Sequence, residues 1–441
     1  MKDVIAAILG GIGEREKQYY LDRFRHEDPS KFAVIKVSGE CVRDSLDQIV
    51  YDLSQLQKLD LNPIVIFGWG EILNQKLTQA GIIPKFIGGD RVTDLATLAL
   101  IQETVAEITG NFLSEAAKYD LDLADLTSRH IFDAEQFHPD LGYVGHVTGV
   151  DIGSIVAACQ NHQIPLVAPL GYQGSQVLNI NGDTAGKALV VSIKPDKYIV
   201  LTSKGGILDS QGNLLRKMSI VDDYDRLVRE GVITDGMLKK VEDAKALLEE
   251  LRDSYCVEIA SPKNLFVELF TYQGSGTKIV LGYNTHIHSS LDGIDQDKAK
   301  QLIEASIEKT LAHDYFSSEQ LIAIVLEEDY DGIGIVQNHN GWAYMDKFAI
   351  SRKSQDQGLG TKIFSEILGN LGKISGKPGM FWRSDPQNPN NKWYFNRVLE
   401  NKGGCQVSGG WVVYWIGIPQ EEIPDIIQYA SNKEPTMFKK Q

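Results

Sequence analysis

Three short stretches of this chain pair an apolar run with glycine in a way that could hold an anion. Lys31-Phe32-Ala33-Val34-Ile35-Lys36-Val37-Ser38-Gly39 reads as a strand running into a glycine, and Asn62-Pro63-Ile64-Val65-Ile66-Phe67-Gly68-Trp69-Gly70 repeats the plan. A glycine at such a point lets backbone N–H groups approach a phosphate or carboxylate. Lys36 is notable because a lysine at the end of an apolar strand, beside glycine, is unusual. The third stretch, Gln355-Asp356-Gln357-Gly358-Leu359-Gly360, lies between a strand-like run and a helix-like one. Its Gln-x-x-Gly-x-Gly spacing makes a compact cradle for a pyrophosphate at a helix N-terminus. No G-x-x-x-x-G-K-[ST] loop exists, so phosphoryl transfer here must use another device.

The elements around these stretches fall into two textures. From residue 29 to about 283, buried-strand candidates alternate with helical patterns. They include the two stretches Lys31–Gly39 and Asn62–Gly70, with Ile164–Val167, Leu189–Ile193 and Tyr198–Thr202. That alternation predicts a parallel α/β sheet, with ligands beyond the carboxyl ends of its strands. A short amphipathic helix over Glu14–Phe24 precedes it. Tyr283 to Asp297 is polar and reads as a boundary, with His286 and His288 as linker residues. Beyond it come a helix from Asp297 to Leu311, strands at Leu321–Glu327, Gly332–Gln337 and Gly341–Ile350, a helix at Thr361–Leu371, and strands at Gly379–Arg383 and Trp411–Gly417. This half is α+β with an antiparallel flavour. The expected division is an N-terminal helix over 1–28, one domain over 29–283 and a second over 284–441.

Composition limits the partners. With 441 residues the chain is long enough for two or three domains. Lys and Arg number 44 against 59 Asp and Glu, a net charge of −15. Such an acidic protein is a poor general binder of nucleic acid or of anionic membranes. Its four cysteines lie far apart, without a C-x-x-C pair, and its nine histidines form no metal signature. No apolar run nears the ~18 residues of a membrane span, and the first residues do not read as a targeting segment. A cytoplasmic protein in a reducing compartment is expected.

Motif resemblance sharpens both halves. The Gln-x-x-Gly-x-Gly loop resembles the acetyl-CoA loop of GNAT acetyltransferases, which implies CoA contacts at Gln355, Gln357, Gly358, Gly360 and Thr361. Tyr344-Met345-Asp346-Lys347-Phe348 before it, and Phe381-Trp382-Arg383-Ser384 with Asn388 and Trp393-Tyr394-Phe395 after it, resemble the transferase domain of N-acetylglutamate synthases. The resemblance implies that Lys347, Arg383 and Asn388 hold glutamate and that Tyr394 is the general acid. Asp385 stands where relatives often carry arginine. The chemistry fits, since a dicarboxylate needs cations and arginine can grip a carboxylate at two points. A phenol keeps its proton at neutral pH and can serve a departing thiolate.

The first half resembles the amino acid kinase family, and acetylglutamate kinases in particular. The matching elements, in order, are Lys36-Val37-Ser38-Gly39, Gly68-Trp69-Gly70, Arg91-Val92-Thr93, Asn179-Ile180-Asn181-Gly182-Asp183 and Gly236-Met237-Leu238-Lys239-Lys240-Val241-Glu242. The resemblance implies that Lys36 and Lys240 flank the transferred phosphoryl group and that Asp183 orients them. Backbone N–H groups at Gly39, Gly68 and Gly70 would hold ATP phosphates, and Arg91 with Asn179 would hold N-acetylglutamate. Mg²⁺ would travel with ATP, held by its phosphates rather than by a protein metal site. Ser38, Phe67, Trp69, Asp235 and Lys239 depart from the family pattern. Glu268-Leu269-Phe270-Thr271 with Gly274-Ser275-Gly276-Thr277 resembles the segment that lines an arginine site in arginine-regulated acetylglutamate kinases. Glu268 and Gly276 are therefore candidate contacts for an L-arginine effector.

Together these features predict an amino acid kinase-type α/β sandwich with a parallel sheet, followed by an α+β GNAT domain. The implied function is arginine biosynthesis: acetyl transfer from acetyl-CoA to L-glutamate, and ATP-dependent phosphorylation of the N-acetylglutamate product. Two alternatives stay open on sequence alone. One is a synthase with a silent, arginine-sensing kinase-like domain. The other is a kinase with a regulatory transferase-like domain. A homo-oligomer, a tetramer by resemblance, is expected.

Overall fold

The computed structural model describes residues 28–251, 255–271, 274–317, 321–355 and 358–439. The expected Glu14–Phe24 helix, Gln357 and the side chain of Asp235 lie outside the described residues. The chain divides into two compact units, 1–281 and 282–441.

In the first unit an eight-stranded sheet is built from β1 (Ala33–Val37), β2 (Ile64–Phe67), β3 (Leu123–Asp125), β4 (Ile164–Val167), β5 (Lys197–Leu201), β6 (Lys217–Ser219), β7 (Cys256–Ala260) and β8 (Thr277–Val280). Their order is β6-β8-β7-β5-β1-β2-β4-β3. All neighbours are parallel except β7 and β8. Every residue of β1 is buried, as expected of a central strand covered on both faces. Ile35 and Val37 enter the apolar cluster on one face, Val34 the cluster on the other. The period of two therefore sends Lys36 to the Val34 side. A second, four-stranded sheet runs Gln176–Asn179, Leu170–Gln173, Phe132–Gln136, Gly145–Val150.

The helices that matter are α1 (Gly39–Gln57), α2 (Gly70–Gln79), α3 (Gly182–Ile193) and α4 (Asp235–Leu251). Leu189–Ile193, expected as a strand, is the last part of α3. Asn181 caps that helix by accepting from the Asp183 N–H, and Leu189, Val190 and Ile193 form its buried stripe. A five-residue apolar run does not separate a strand from a buried helical turn, and here the upstream cap decides.

In the second unit a seven-stranded sheet contains β9 (Thr285–His288), β10 (Leu321–Glu327), β11 (Gly332–His339), β12 (Trp342–Ile350), β13 (Met380–Ser384), β14 (Gly404–Ser408) and β15 (Trp411–Ile416), ordered β9-β10-β11-β12-β13-β15-β14. β12 and β13 are parallel; the other neighbours are antiparallel. His286 and His288 are thus edge-strand residues paired with β10, not linker residues. Their alternation with Thr285 and Ile287 was too short to register as a strand. Helices α5 (Gln296–Ile307), α6 (Leu359–Gly369), α7 (Asn391–Glu400) and α8 (Ile423–Asn432) cover the sheet. α5 ends four residues before the expected Leu311 because Lys309–Leu311 pairs with Met437–Lys439.

Candidate active sites

The first unit carries a cleft of about 570 Å³ at the carboxyl ends of β1 and β2. Lys36 lines it from β1 and Lys240 from α4, and Asp183, in the first turn of α3, stands between these two lysines. Lys36 Nζ lies 2.6 Å from Asp183 Oδ1, and Lys240 Nζ lies 2.7 Å from Oδ2. One carboxylate therefore bridges two ammonium groups. Burial pushes Asp183 toward neutrality, but the two lysines outweigh it and hold the carboxyl well below its usual range. Burial likewise works against Lys240, and Asp183 more than compensates, so its pKa is raised. Lys36 is more deeply placed; burial, reinforced by the nearby Lys240, lowers it despite Asp183.

Gly39 and Gly70 open α1 and α2, and the two helix starts meet here. A Cβ on Gly39 would lie 3.1 Å from the Gly70 nitrogen. First-turn N–H groups lack intrahelical partners, so two sets of such donors come together at this junction. Gly68 behaves differently from expectation. Its N–H donates to the Val37 carbonyl at 2.8 Å and is spent within the fold. A Cβ there would make only ordinary contacts, 3.9 Å from Lys36 Cε, so the lysine arm runs past this turn in van der Waals contact. Phe67 and Trp69, the two large departures from the family pattern, belong to the apolar core. Phe67 stacks on Phe112, and Trp69 is 6% exposed and packs edge-on against Phe67. Phe67 does not line the cleft; Trp69 does, with almost all of its surface buried in the core.

Arg91 and Asn179 line the same cleft. Asn179 Nδ2 donates to Thr93 Oγ1 at 3.0 Å, and that hydroxyl donates to the Arg91 carbonyl at 2.9 Å. Arg91 Nη2 donates to Asn74 Oδ1 at 2.7 Å, while its buried Nη1 has no hydrogen-bond partner among the described residues. A buried guanidinium donor left open is suited to an incoming carboxylate.

Glu268 and Gly276 are brought together, but by bonding to one another. Gly276 N–H donates to Glu268 Oε1 at 2.6 Å and Ser275 N–H to Oε2 at 3.0 Å. Burial and the neighbouring Glu258 carboxylate push Glu268 up to about 7 despite those two bonds. The carboxylate thus clamps its own loop.

In the second unit β12 pairs with β11 along its whole length, but with β13 only at Ala343 and Tyr344. Past those pairs the two strands part. Gly358, at φ +98°, caps the start of α6 beside this opening, and Gly360 lies in the first turn. The left-handed conformation explains glycine at 358. Thr361 is exposed at the same helix start, and Gln355 reaches back toward the Ile350 carbonyl at 3.4 Å.

The opening separates two groups of side chains. Tyr394, on α7, packs among Trp382, Tyr414 and Phe348 in the apolar cluster of the α6 face. Burial raises its phenol far above the ordinary value, so it keeps its proton throughout the working pH range. Arg383 lies on the other face, with its guanidinium 4.3 Å above the Trp411 ring. A β-bulge between the Ile335↔Lys347 and Val336↔Met345 pairs leaves Asp346 as an extra residue. The bulge breaks the alternation, so adjacent Asp346 and Lys347 are both buried and ion-paired. Asn388 donates to Ser384 Oγ at 2.9 Å and accepts from the Asn390 N–H, fixing the turn before α7. Sequence motifs gave no signal for Tyr315, which donates to Asp346, or for Lys433 and Thr436 beside Lys347, because all three arrive from distant parts of the chain.

Residues 31–257 match the amino acid kinase family, and residues 286–433 match the N-acetyltransferase of N-acetylglutamate synthase. An acetylglutamate kinase of Xanthomonas campestris is 34% identical over 432 residues, covering 96% of this chain and 99% of that one. A mitochondrial N-acetylglutamate synthase of Danio rerio is 28% identical over 97% of this chain and 79% of its own length. The crystal structure of N-acetylglutamate synthase from Neisseria gonorrhoeae, complexed with coenzyme A and N-acetyl-glutamate, superposes with a TM-score of 0.68 at 20% identity over 95% of this chain and 96% of that one, and so shares its fold. The chain belongs to the amino acid kinase family and fuses that domain to an N-acetyltransferase domain of the N-acetylglutamate synthase type. Among the described residues no helix is long and apolar enough to cross a membrane.

Proposed function

We propose that this chain acetylates L-glutamate with its second unit and phosphorylates the resulting N-acetylglutamate with its first, two steps of arginine biosynthesis. The observation that carries the kinase half is the Lys36–Asp183–Lys240 bridge at the rim of a roomy cleft. Phosphoryl transfer between two anions is chiefly charge neutralisation and alignment. Lys36 and Lys240 neutralise the transferred group from two sides, and Asp183, bonded to both, fixes their positions and favours their charged forms. Gly39 and Gly70 offer N–H groups to the nucleotide phosphates, while Arg91 Nη1 and Asn179 hold the acceptor. Mg²⁺ enters with ATP on phosphate oxygens.

Acetyl-CoA supplies the thioester, with its pyrophosphate at the Gly358–Thr361 helix start. Lys347, Arg383 and Asn388 orient the glutamate. The Lys347 site holds three nearby cations, Lys347, Arg383 and Lys433, against one carboxylate, Asp346. That excess positive charge suits a ligand with two carboxylates. The neutral α-amine attacks the acetyl carbonyl, the C–S bond breaks as Tyr394 gives its proton to the departing sulfur, and the proton lost from the amine nitrogen returns through solvent to the Tyr394 phenolate. Arginine is read as an effector at the Glu268–Gly276 loop, with the chain cytoplasmic and assembled as a homotetramer.

Both activities are assayed on one preparation: ADP release with N-acetylglutamate, and CoA release with L-glutamate. Wild type is expected to show both. Lys240→Ala should lose only the first, and Tyr394→Phe should slow only the second. Absence of ADP release from the pure wild-type protein sinks the kinase assignment.

A further inference from the structure

Both cations assigned to the glutamate carboxylates are held by the end of the chain. After α8, residues 433–436 lead into Met437–Lys439, which pairs with Lys309–Leu311. Along that path Lys347 Nζ donates to Thr436 Oγ1 at 2.6 Å. Arg383 Nη1 donates to the carbonyls of Ala430 at 2.7 Å and Lys433 at 2.6 Å, and Nη2 to that of Glu434 at 3.3 Å. Three of the five guanidinium N–H donors are spent on this segment, leaving two, enough for a two-point grip on a carboxylate.

A free lysine or arginine must give up rotamer freedom to grip a ligand. These two have already given it up. Lys347 is 5% exposed, and its three N–H donors go to Asp346 Oδ2, Thr436 Oγ1 and, at 3.3 Å, the Asp346 carbonyl, with the ammonium 4.6 Å from the Tyr315 ring centre; a ligand carboxylate takes the donor now on that long carbonyl bond. We propose that Ala430–Thr436 is a positioning element of the acceptor site, and that Thr436 sets the direction of Lys347. The inference rests on the reading of Lys347 and Arg383 as the carboxylate-binding pair. Preorganisation of this kind acts on ligand capture more than on the chemical step.

The test is steady-state CoA release from the full chain with Thr436→Val, Thr436→Ser and Lys347→Met. Valine keeps the shape of threonine and removes only the acceptor. Thr436→Val should raise the KM for L-glutamate about tenfold, with kcat within about threefold and the KM for acetyl-CoA unchanged. Thr436→Ser should restore the wild-type KM, because the hydroxyl returns without the methyl. An unchanged glutamate KM in Thr436→Val overturns the inference, as does failure of Thr436→Ser to rescue. Lys347→Met separates the two layers. If it raises the glutamate KM while Thr436→Val does not, only the positioning role falls. If it changes nothing, or if wild type releases no CoA, the acceptor-site reading falls and takes the inference with it.

Discussion

Replacing Asp183 by asparagine removes the one anion that two lysines share. The ammonium nitrogens lie 2.6 and 2.7 Å from the two oxygens of that carboxylate. The span of a carboxylate then sets them roughly 5 Å apart, where two like charges repel by about 3 kcal/mol at an effective dielectric of ~20. That equals about two pKa units. Asp183 raises both lysines, so in Asp183→Asn both fall, and Lys36, already lowered by burial, loses its proton first. A phosphoryl group flanked by one cation instead of two should be transferred about 10²–10³ times more slowly at pH 8. The alkaline fall-off of kcat should also move to lower pH, because the protonated lysine is the active form. ADP release with N-acetylglutamate, followed from pH 6 to 9.5, reads both effects, and CoA release by the second unit serves as the control. A variant that keeps kinase kcat within threefold, or whose alkaline limb stays in place, refutes the assigned role of the bridge. Equal loss of both activities refutes the separation of the sites.

Other expectations can be checked with the same protein. Asp52 is 5% exposed on α1, and burial pushes it up to about 7 against a bond from Gln48. The folded state therefore binds a proton that the unfolded state has released. Its stability should fall as pH rises from about 4 to 7, and Asp52→Asn should gain on the order of 2–4 kcal/mol at pH 8 but little at pH 4, read by chemical denaturation. Tyr394→Phe should lower transferase kcat by about 10–10²-fold without raising the KM for acetyl-CoA, and the wild-type rate should show no phenol titration below pH 10. A Cβ on Gly276 would sit 2.0 Å from the Ile259 carbonyl oxygen and 2.6 Å from Glu268 Oε1. Gly276→Ala should break the Glu268 clamp and lower stability by about 1–3 kcal/mol in thermal melts; an unchanged melting temperature would refute the clamp.

The charged residues that meet in the first unit were legible because their motifs are local and each sits at the end of a strand or the start of a helix. Lys36, Asp183 and Lys240 meet as the motifs imply, although 147 and 57 residues separate the bonded pairs. Backbone donors were less legible. Gly68 looked like its neighbours Gly39 and Gly70, yet its N–H is consumed by Val37, and only the register of β1 on β2 reveals that. Trp69 illustrates the same limit, since its identity looks obstructive while its direction, fixed by the turn into α2, is into the core. Side-chain neighbours brought by tertiary folding carried no sequence signal. The β12 bulge that puts Asp346 and Lys347 on one side is invisible in a pattern of alternating residues, and Thr436 lies 89 residues from its partner.

The acidic composition and the anionic ligands are reconciled by how the cations are held. The chain has a net charge of −15, and neither site relies on a positive surface. In the first unit an ionised carboxylate sits between the two lysines, raising Lys240 and working against the burial that lowers Lys36. In the second, Asp346 and the Thr436 hydroxyl hold Lys347 in place, and the carbonyls of Ala430 and Lys433 hold Arg383. Each arrangement leaves a net positive remainder that is small, buried and aimed, which is what a compact dianion requires. The two differ in what fixes the cations. A carboxylate bridge changes charge when it is substituted, so its loss should appear in the chemical step and in the pH profile. A frame of carbonyls and a hydroxyl is neutral, so its loss should appear as weaker capture of glutamate with the chemical step preserved. Asp183→Asn and Thr436→Val, assayed side by side, should therefore fail in different parameters, kcat for the first and KM for the second; the same parameter failing in both would show that this distinction between charged and neutral support is wrong.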